Sequence, residues 1–268
     1  MTLGAEQMDF IRAAWNLLPD SDAKCALRMV AQNYKQRGRA HFSRLDDAYI
    51  VDVYGLKLMT TEPPFQAANY IDHFQARHRV TGGEVVIEGG TFWGIFTSTL
   101  ALQVGPEGRV LAFEPDSINF KRTLQNLQLN ANPAHVEVVC KGLWNCESEL
   151  EFCERGALGS SAFWDGPNGH KVTIQTISLD KAVFDRNLSR VDYIKMNIEG
   201  AEIKALEGAD EVIRRFRPHF AISSDHYLDG DISRQERTCG SVERILTGYG
   251  YSVQTLKYGT EWVTYGTP

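Results

Sequence analysis

The sequence predicts an α/β fold built on a doubly wound, mostly parallel sheet. Three observations carry that prediction. From Thr81 onward, short apolar runs alternate with segments of helical periodicity. The runs are apolar throughout rather than at every second position, as strands covered on both faces must be. The first two end on carboxylates, and the first continues into glycines, Val85-Val-Ile-Glu88-Gly-Gly90. Open α/β sheets bind their ligands at such strand tips.

Each element follows from local sequence. Residues 6–18 and 22–36 read as amphipathic helices, and the β-rich runs within 48–59 meet near Gly55 as a hairpin. A helix near 66–78 follows the Pro63-Pro64 break. This first stretch, 1–80, is expected to be a cap, and 81–268 the main domain. In that domain Val85-Val-Ile-Glu88 is the first strand, and residues 94–103 suit a helix. Arg109-Val-Leu-Ala-Phe-Glu114 is the second strand. Asp116 and Ser117 can cap a helix with Phe120, Leu124 and Leu127 on its inner face. Strands are expected at His135-Val-Glu-Val-Val-Cys140, at 191–196 and at Phe220-Ala-Ile222. One helix after Gly200 carries Ile203, Leu206, Ala209, Ile213 and Phe216 at helical spacing and stops at Pro218. A helix over 234–249 leads to a terminal hairpin, 251–258 with 261–265, which makes seven strands with the last two antiparallel. Between Glu147 and Thr176 an inserted hairpin is expected, with strands at 150–154 and 171–177.

Composition narrows the function classes. The chain has 268 residues, with 28 Lys and Arg against 34 Asp and Glu, a net charge of −6. That balance is a poor match for bulk nucleic acid, so no nucleic-acid partner is expected. No apolar run reaches the length of a membrane span. The first twenty residues carry Glu6 and Asp9 rather than a basic region leading into an apolar one, so no secretory signal is expected. The five cysteines form no CxxC pair and read as reduced thiols of a cytoplasmic protein. No metal site is expected, because Asn197 and Asp225 offer two oxygen donors only.

The glycine turn and the two carboxylates carry the chemistry. Gly90 and Gly94 lack a Cβ, so a cofactor can lie against the backbone there. Glu88 stands at the tip of the first strand and Glu114 at the tip of the second. Glu114 can accept hydrogen bonds from both hydroxyls of a ribose. The string Gly89-Gly90-x-x-x-Gly94 departs from the GxGxxG of dinucleotide sites. Glu88 also places negative charge where a pyrophosphate would lie and suits a cationic group such as the amino end of an amino acid. A ribose, an amino group and a sulfonium are combined in S-adenosylmethionine.

The motifs together resemble the FkbM family of S-adenosylmethionine-dependent methyltransferases, within the Rossmann-like class I enzymes. That family's D-x-G-A-N-x-G is similar to Glu88-Gly-Gly90-Thr91-Phe92-Trp-Gly94 here. Its V-x-A-F-E-P resembles Val110-Leu-Ala-Phe-Glu114-Pro115, and its I-K-x-D-x-E-G-x-E resembles Ile194-Lys-Met-Asn197-Ile-Glu199-Gly-Ala-Glu202. Thr176-Ile-Ser-Leu-Asp180 is similar to the T-x-L-D that precedes the latter. The likeness runs from about Thr81 to Tyr251. Thr91 and Phe92 replace Ala and Asn, Asn197 replaces the family's Asp, and the glutamate of P-x-x-x-x-E-x-H is missing from Pro218-His-Phe-Ala-Ile-Ser-Ser-Asp225-His226.

The resemblance implies methyl transfer to a hydroxyl of a sugar, glycolipid or polyketide-type small molecule. Glu88, Gly90, Thr91, Phe92, Gly94, Glu114, Pro115 and Asn197 are then the cofactor residues. The backbone of Gly142 and Leu143, after the third strand, is expected to read the adenine edge. His226 is the expected general base, oriented by Asp225 or another carboxylate. Asn197 and Glu199 complete the catalytic set. Glu199 and Glu202 have a second reading as acidic residues favoured in a helix's first turn. Lys195 is expected to alternate to the other side of its strand and pair with a carboxylate. Trp144, Phe163 and Trp164 are candidates to stack on or cover ligands. The cap offers a surface for a homodimer or a lid. Two other readings stay open: a nicotinamide-dependent oxidoreductase on a similar sheet, and a cofactor-binding member without catalysis.

Overall fold

The computed structural model describes residues 21–268 other than 37, 38, 62, 64, 66, 132, 134, 157, 158, 164–168, 232 and 234. The helix expected over 6–18 and the side chain of Trp164 lie outside the described residues. The chain forms two compact units, divided between Asp72 and His73 rather than at residue 80. Residues from His73 on are bonded into the larger unit. His73 pairs with Glu261, Tyr193 Oη donates to the carbonyl of Phe74, and Gln75 bonds Gln103.

In the smaller unit, helix α1 (Ser21–Lys35) precedes a meander of β1 (Ala40–Leu45), β2 (Ala48–Val53) and β3 (Leu56–Thr60). The expected hairpin is therefore joined by a third strand, which pairs antiparallel to β2. Asn33 fastens α1 to β1 by bonding both the N–H and the carbonyl of Phe42, at 2.6 and 2.7 Å. Helix α2 (Ala67–Phe74) follows.

The larger unit holds the doubly wound sheet. Its parallel strands are β4 (Val85–Gly89), β5 (Arg109–Phe113), β6 (Val136–Val139), β10 (Tyr193–Met196) and β11 (His219–Ser223). Strands β12 (Ser252–Tyr258) and β13 (Glu261–Thr267) form the terminal hairpin, and β13 runs antiparallel to β11. The strand order is β12-β13-β11-β10-β4-β5-β6. Chain order reverses between β4 and β10, so the ligand-binding crevice of such a sheet opens at their carboxyl ends. The core gathers Ile87, Leu111, Phe113, Ile194, Met196 and Ile222 from the strands with Leu206, Val212, Ile213, Val242 and Leu246 from the helices.

Helix α3 (Ile95–Val104) leaves the glycine turn, and α4 (Ser117–Leu129) follows β5. Asp116 caps α4, accepting from the N–H of Ile118 and Asn119. The inner face of α4 differs from the expected one. Leu124 is exposed, and Asn119, Thr123, Asn126 and Leu127 are buried. Two of these, Thr123 and Asn126, are polar because they bond carbonyls of the glycine turn, which needs hydrogen-bonding partners.

The insertion is a separate sheet of β7 (Gly142–Leu143), β8 (Glu149–Glu154) and β9 (His170–Ile177), with β8 and β9 antiparallel as expected. Helix α5 (Leu179–Phe184) follows. The single helix expected after Gly200 is two, α6 (Glu202–Glu207) and α7 (Asp210–Phe216). Asp180 causes the break. Its N–H bonds the carbonyl of Gly208, and its carboxylate takes the N–H groups of Glu211 and Val212 at the start of α7. A short 3₁₀ turn, Leu228–Gly230, and helix α8 (Cys239–Gly248) complete the unit.

Candidate active site

Two groups of residues face the crevice, one from the glycine turn and one from the tips of β10 and β11. In the first, Gly90 has φ +77, and a Cβ on it would lie 2.0 Å from the carbonyl oxygen of Asn197. No side chain fits there. Gly90→Ala is expected to cost about 1–2 kcal/mol from the left-handed backbone alone, with more from the clash. A lower midpoint in urea unfolding checks this.

Phe92 also sits in the left-handed region, at φ 55. The Asn of the family motif adopts that conformation at lower cost than Phe. Here the surroundings impose it. Glu114 Oε2 accepts the N–H of Thr91 at 3.1 Å and that of Phe92 at 2.8 Å. Thr123 Oγ1 donates to the carbonyl of Phe92, Asn126 Nδ2 to that of Trp93, and Thr91 and Thr123 hydroxyls bond each other at 2.8 Å. Thr123 and Asn126 are functional supports that apolar periodicity could not reveal. Their signal is polar residues at helical spacing on a buried face.

Glu114 lies one residue past β5 and is almost fully buried. Its Oε1 accepts the N–H of Asp116 at 3.1 Å. Burial pushes its carboxyl up to about 8, against the pull of the Phe92 and Asp116 N–H groups. Pro115 follows it, 3.8 Å from where a Cβ on Gly142 would stand. Gly142 and Leu143 are buried in β7, and the Leu143 side chain reaches Gly89. Gly94 caps the start of α3 at φ 73.

Glu88 corrects an expectation. It is wholly buried in β4, where it is the cross-strand neighbour of Lys195. Its oxygens are taken by Thr97 Oγ1 at 2.6 Å and Lys195 Nζ at 3.3 Å. Burial raises its carboxyl, while Lys195 and Thr97 pull it down. The carboxylate therefore does not face a ligand's amino group. Lys195, paired as strand alternation predicts, also donates to the carbonyl of Gly90 at 2.7 Å and lies over Phe74 and Phe96. The pair supports the glycine turn from beneath.

The second group centres on His226. Its Nδ1 lies 3.0 Å from Glu202 Oε1 and its Nε2 3.5 Å from Glu199 Oε2. The Nδ1 contact is an ion pair without hydrogen-bond alignment. Burial alone would lower the imidazole, but Glu202, Glu199 and Asp225 push it up to about 9. The carboxylates around it thus favour the imidazolium, the form in which both ring nitrogens carry protons. Its orienting carboxylate is Glu202, not Asp225, whose Oδ1 accepts the Ser223 hydroxyl at 3.0 Å.

Glu202 is fully buried, and its Oε1 accepts the N–H groups of Ile198 and Gly200, each at 3.3 Å. Glu199 is at φ 53 on the turn so held, and burial raises its carboxyl. Asn197, just past β10, donates its N–H to Gly89 O at 3.0 Å, and its Oδ1 is buried with no partner. Phe163 lies beside Gly200, and its ring is 5.8 Å from that of Trp144. Among the described residues no group of three or more His, Cys, Asp or Glu could hold a metal ion, and no helix is long and apolar enough to cross a membrane.

Comparison with curated proteins gave no match. Among solved structures, the methyltransferase FkbM of Methylobacillus flagellatus KT is similar at 17% identity and TM-score 0.53, covering 97% of this chain and 59% of that one. The chain thus spans about three fifths of that relative's length. A SAM-dependent methyltransferase of Aquifex aeolicus has 17% identity and TM-score 0.44, covering 74% of this chain and 92% of that one. The natively S-adenosyl-L-methionine-bound fibrillarin of Aeropyrum pernix has 11% identity and TM-score 0.47, covering 84% and 97%. The sequence profile of the methyltransferase FkbM domain matches residues 76–253, which take in the glycine turn, Glu114, and the Asn197 and His226 tips. With that match over most of its length, the chain belongs to the methyltransferase FkbM domain family.

Proposed function

We propose that the chain transfers the methyl group of S-adenosylmethionine to a hydroxyl of a small molecule. The observation that carries this reading is the pairing, at the carboxyl ends of the central strands, of a glycine turn backed by Glu114 with the Glu199–His226 ion pair. The residues fit the cofactor. Gly90 leaves room against the backbone, Glu114 keeps a free acceptor position on Oε1 for ribose hydroxyls, and the partnerless Asn197 Oδ1 suits an ammonium group. Pro115, Gly142 and Leu143 would flank the adenine, with Thr91, Phe92 and Gly94 shaping the turn.

When bound, the cofactor supplies an electrophilic methyl on a sulfonium, and the protein supplies position and electrostatics. An acceptor oxygen would bond the methyl carbon as the carbon–sulfur bond breaks to leave a neutral thioether, and the hydroxyl proton would pass to a base. Glu199 is the group to receive that proton. It is ionisable, beside the crevice at β10, and raised by burial toward the range where a carboxylate is a better base. The His226 imidazolium balances its charge and fixes its direction. Asn197 then binds cofactor rather than proton, and Asp225 adds negative potential beside His226.

Titration calorimetry with S-adenosylhomocysteine tests the cofactor, with a dissociation constant between about 1 µM and 1 mM expected. No heat at millimolar ligand, or binding of NAD instead, would overturn the reading. Label transfer from S-adenosylmethionine to a panel of sugars, glycolipids and polyketide-type alcohols tests the acceptor class.

A further inference from the structure

Glu199 holds a backbone conformation that L residues avoid, at a cost of roughly 1–2 kcal/mol. Such an outlier persists only where its surroundings over-determine it. Glu202 supplies one restraint, through the Ile198 and Gly200 N–H groups. The others come from the far side of the crevice. Residues 159–163 of the inserted hairpin cross from the tip of β5 to the tip of β10. At the β5 end the buried carboxylate of Asp116 takes the Arg155 N–H at 3.0 Å, the Gly156 N–H at 2.9 Å and the Ser160 hydroxyl at 2.6 Å. Burial would raise Asp116, but these bonds and its capping of α4 hold it below the usual carboxylate range. At the β10 end Ser161 Oγ donates to the Glu199 carbonyl at 2.9 Å. Ser161 Oγ also accepts the Phe163 N–H at 3.0 Å, which sets the ring against Gly200, at φ +104.

We propose that residues 159–163 are a strap that positions Glu199, with Ser161 as its positioning residue and Asp116 as its anchor. The strap ties the cofactor side of the crevice to the acceptor side. It holds the Glu199 backbone at its carbonyl, and so fixes where the carboxylate stands, 3.5 Å from His226 Nε2. This assigns Ser161 a part in the reaction that it plays only through Glu199. The assignment rests on the reading of Glu199 as the base, but its test does not require an acceptor.

The experiment is an NMR titration of the His226 ring in the full chain, in the wild type, Ser161→Ala, Glu199→Gln, Ser161→Ala/Glu199→Gln and Ser161→Thr. The charges around that ring are Glu199, Glu202 and Asp225, with Arg237 bonded to the Asp225 carbonyl. Loss of the hydroxyl frees Glu199 to swing from His226. Ser161→Ala is therefore expected to lower the His226 midpoint by about half a unit or more, in the same direction as Glu199→Gln. The double variant is expected to match Glu199→Gln alone, because Ser161 acts through that carboxylate. Ser161→Thr, which keeps the hydroxyl, is expected to titrate as the wild type. A wild-type midpoint in Ser161→Ala, or a further additive drop in the double variant, overturns the proposal. Failure of the wild type to bind S-adenosylhomocysteine would instead overturn the proposed function and leave the titration result standing.

Discussion

Glu199→Gln is expected to lower the turnover of methyl transfer by roughly 10²–10³-fold, the range of a lost general base, and to leave the affinity for S-adenosylhomocysteine nearly unchanged. Glutamine keeps the volume and the carbonyl oxygen but cannot accept the proton. The pH profile separates the two candidates at this site. Burial holds Glu199 above the usual carboxylate range, while His226 is pushed up to about 9. If Glu199 is the base, turnover rises on the acid side as Glu199 ionises and then levels off while His226 stays charged. That acid limb disappears in Glu199→Gln. If His226 were the base, turnover would climb through about pH 9, where the imidazolium loses its proton, and that climb would survive Glu199→Gln. The second pattern would restore the reading that sequence alone favours.

Why sequence favoured it is a matter of what spacing can carry. Strand tips and glycine turns are local, so the glycine turn, the terminal hairpin and the place of Glu114 were legible from residue order. Side-chain direction within a tip is not. Glu88 and Glu114 both end apolar runs, yet Glu88 lies inside β4 in register with Lys195, and Glu114 lies beyond β5. One is a support under the turn and the other borders the crevice. Protonation is equally hidden. His226 reads as a base until Glu199, 27 positions earlier in the chain, and Glu202 are found on either side of its ring. The inner face of α4 escaped a search for apolar periodicity because it binds backbone rather than core. The strap joins Asp116 to Ser160 and Ser161 to Glu199 across separations of 44 and 38 residues, which no periodicity records. What the sequence did expose was composition at those places. Thr123 and Asn126 are polar residues on a buried helix face, where a helix packed only on an apolar core would have no need of them.

Glu114→Gln is expected to weaken S-adenosylhomocysteine binding about 10- to 100-fold, the worth of a hydrogen bond to a charged group, and to abolish a proton release that accompanies binding. In the free protein the Glu114 carboxyl sits at about 8, so it is largely protonated at pH 7. Ribose hydroxyls that donate to it favour the ionised form and lower that value. Binding at pH 7 must then release up to one proton. Calorimetry in phosphate and in Tris, whose ionisation enthalpies differ, reads that proton directly as a difference in heat. Stability carries the same signature with a definite sign. A carboxyl raised in the folded state from 4.5 to about 8 contributes stability that is fully present below pH 4.5 and is lost as pH rises through 8. The ligand-free wild type should therefore lose stability across that window, and Glu114→Gln should lose less of it. Cofactor should restore the wild type above pH 7 more than it restores the variant. Equal heats in the two buffers, together with unchanged affinity in Glu114→Gln, would mean that Glu114 serves only to hold the Thr91 and Phe92 N–H groups. The ribose would then be bound elsewhere at the carboxyl ends of the strands.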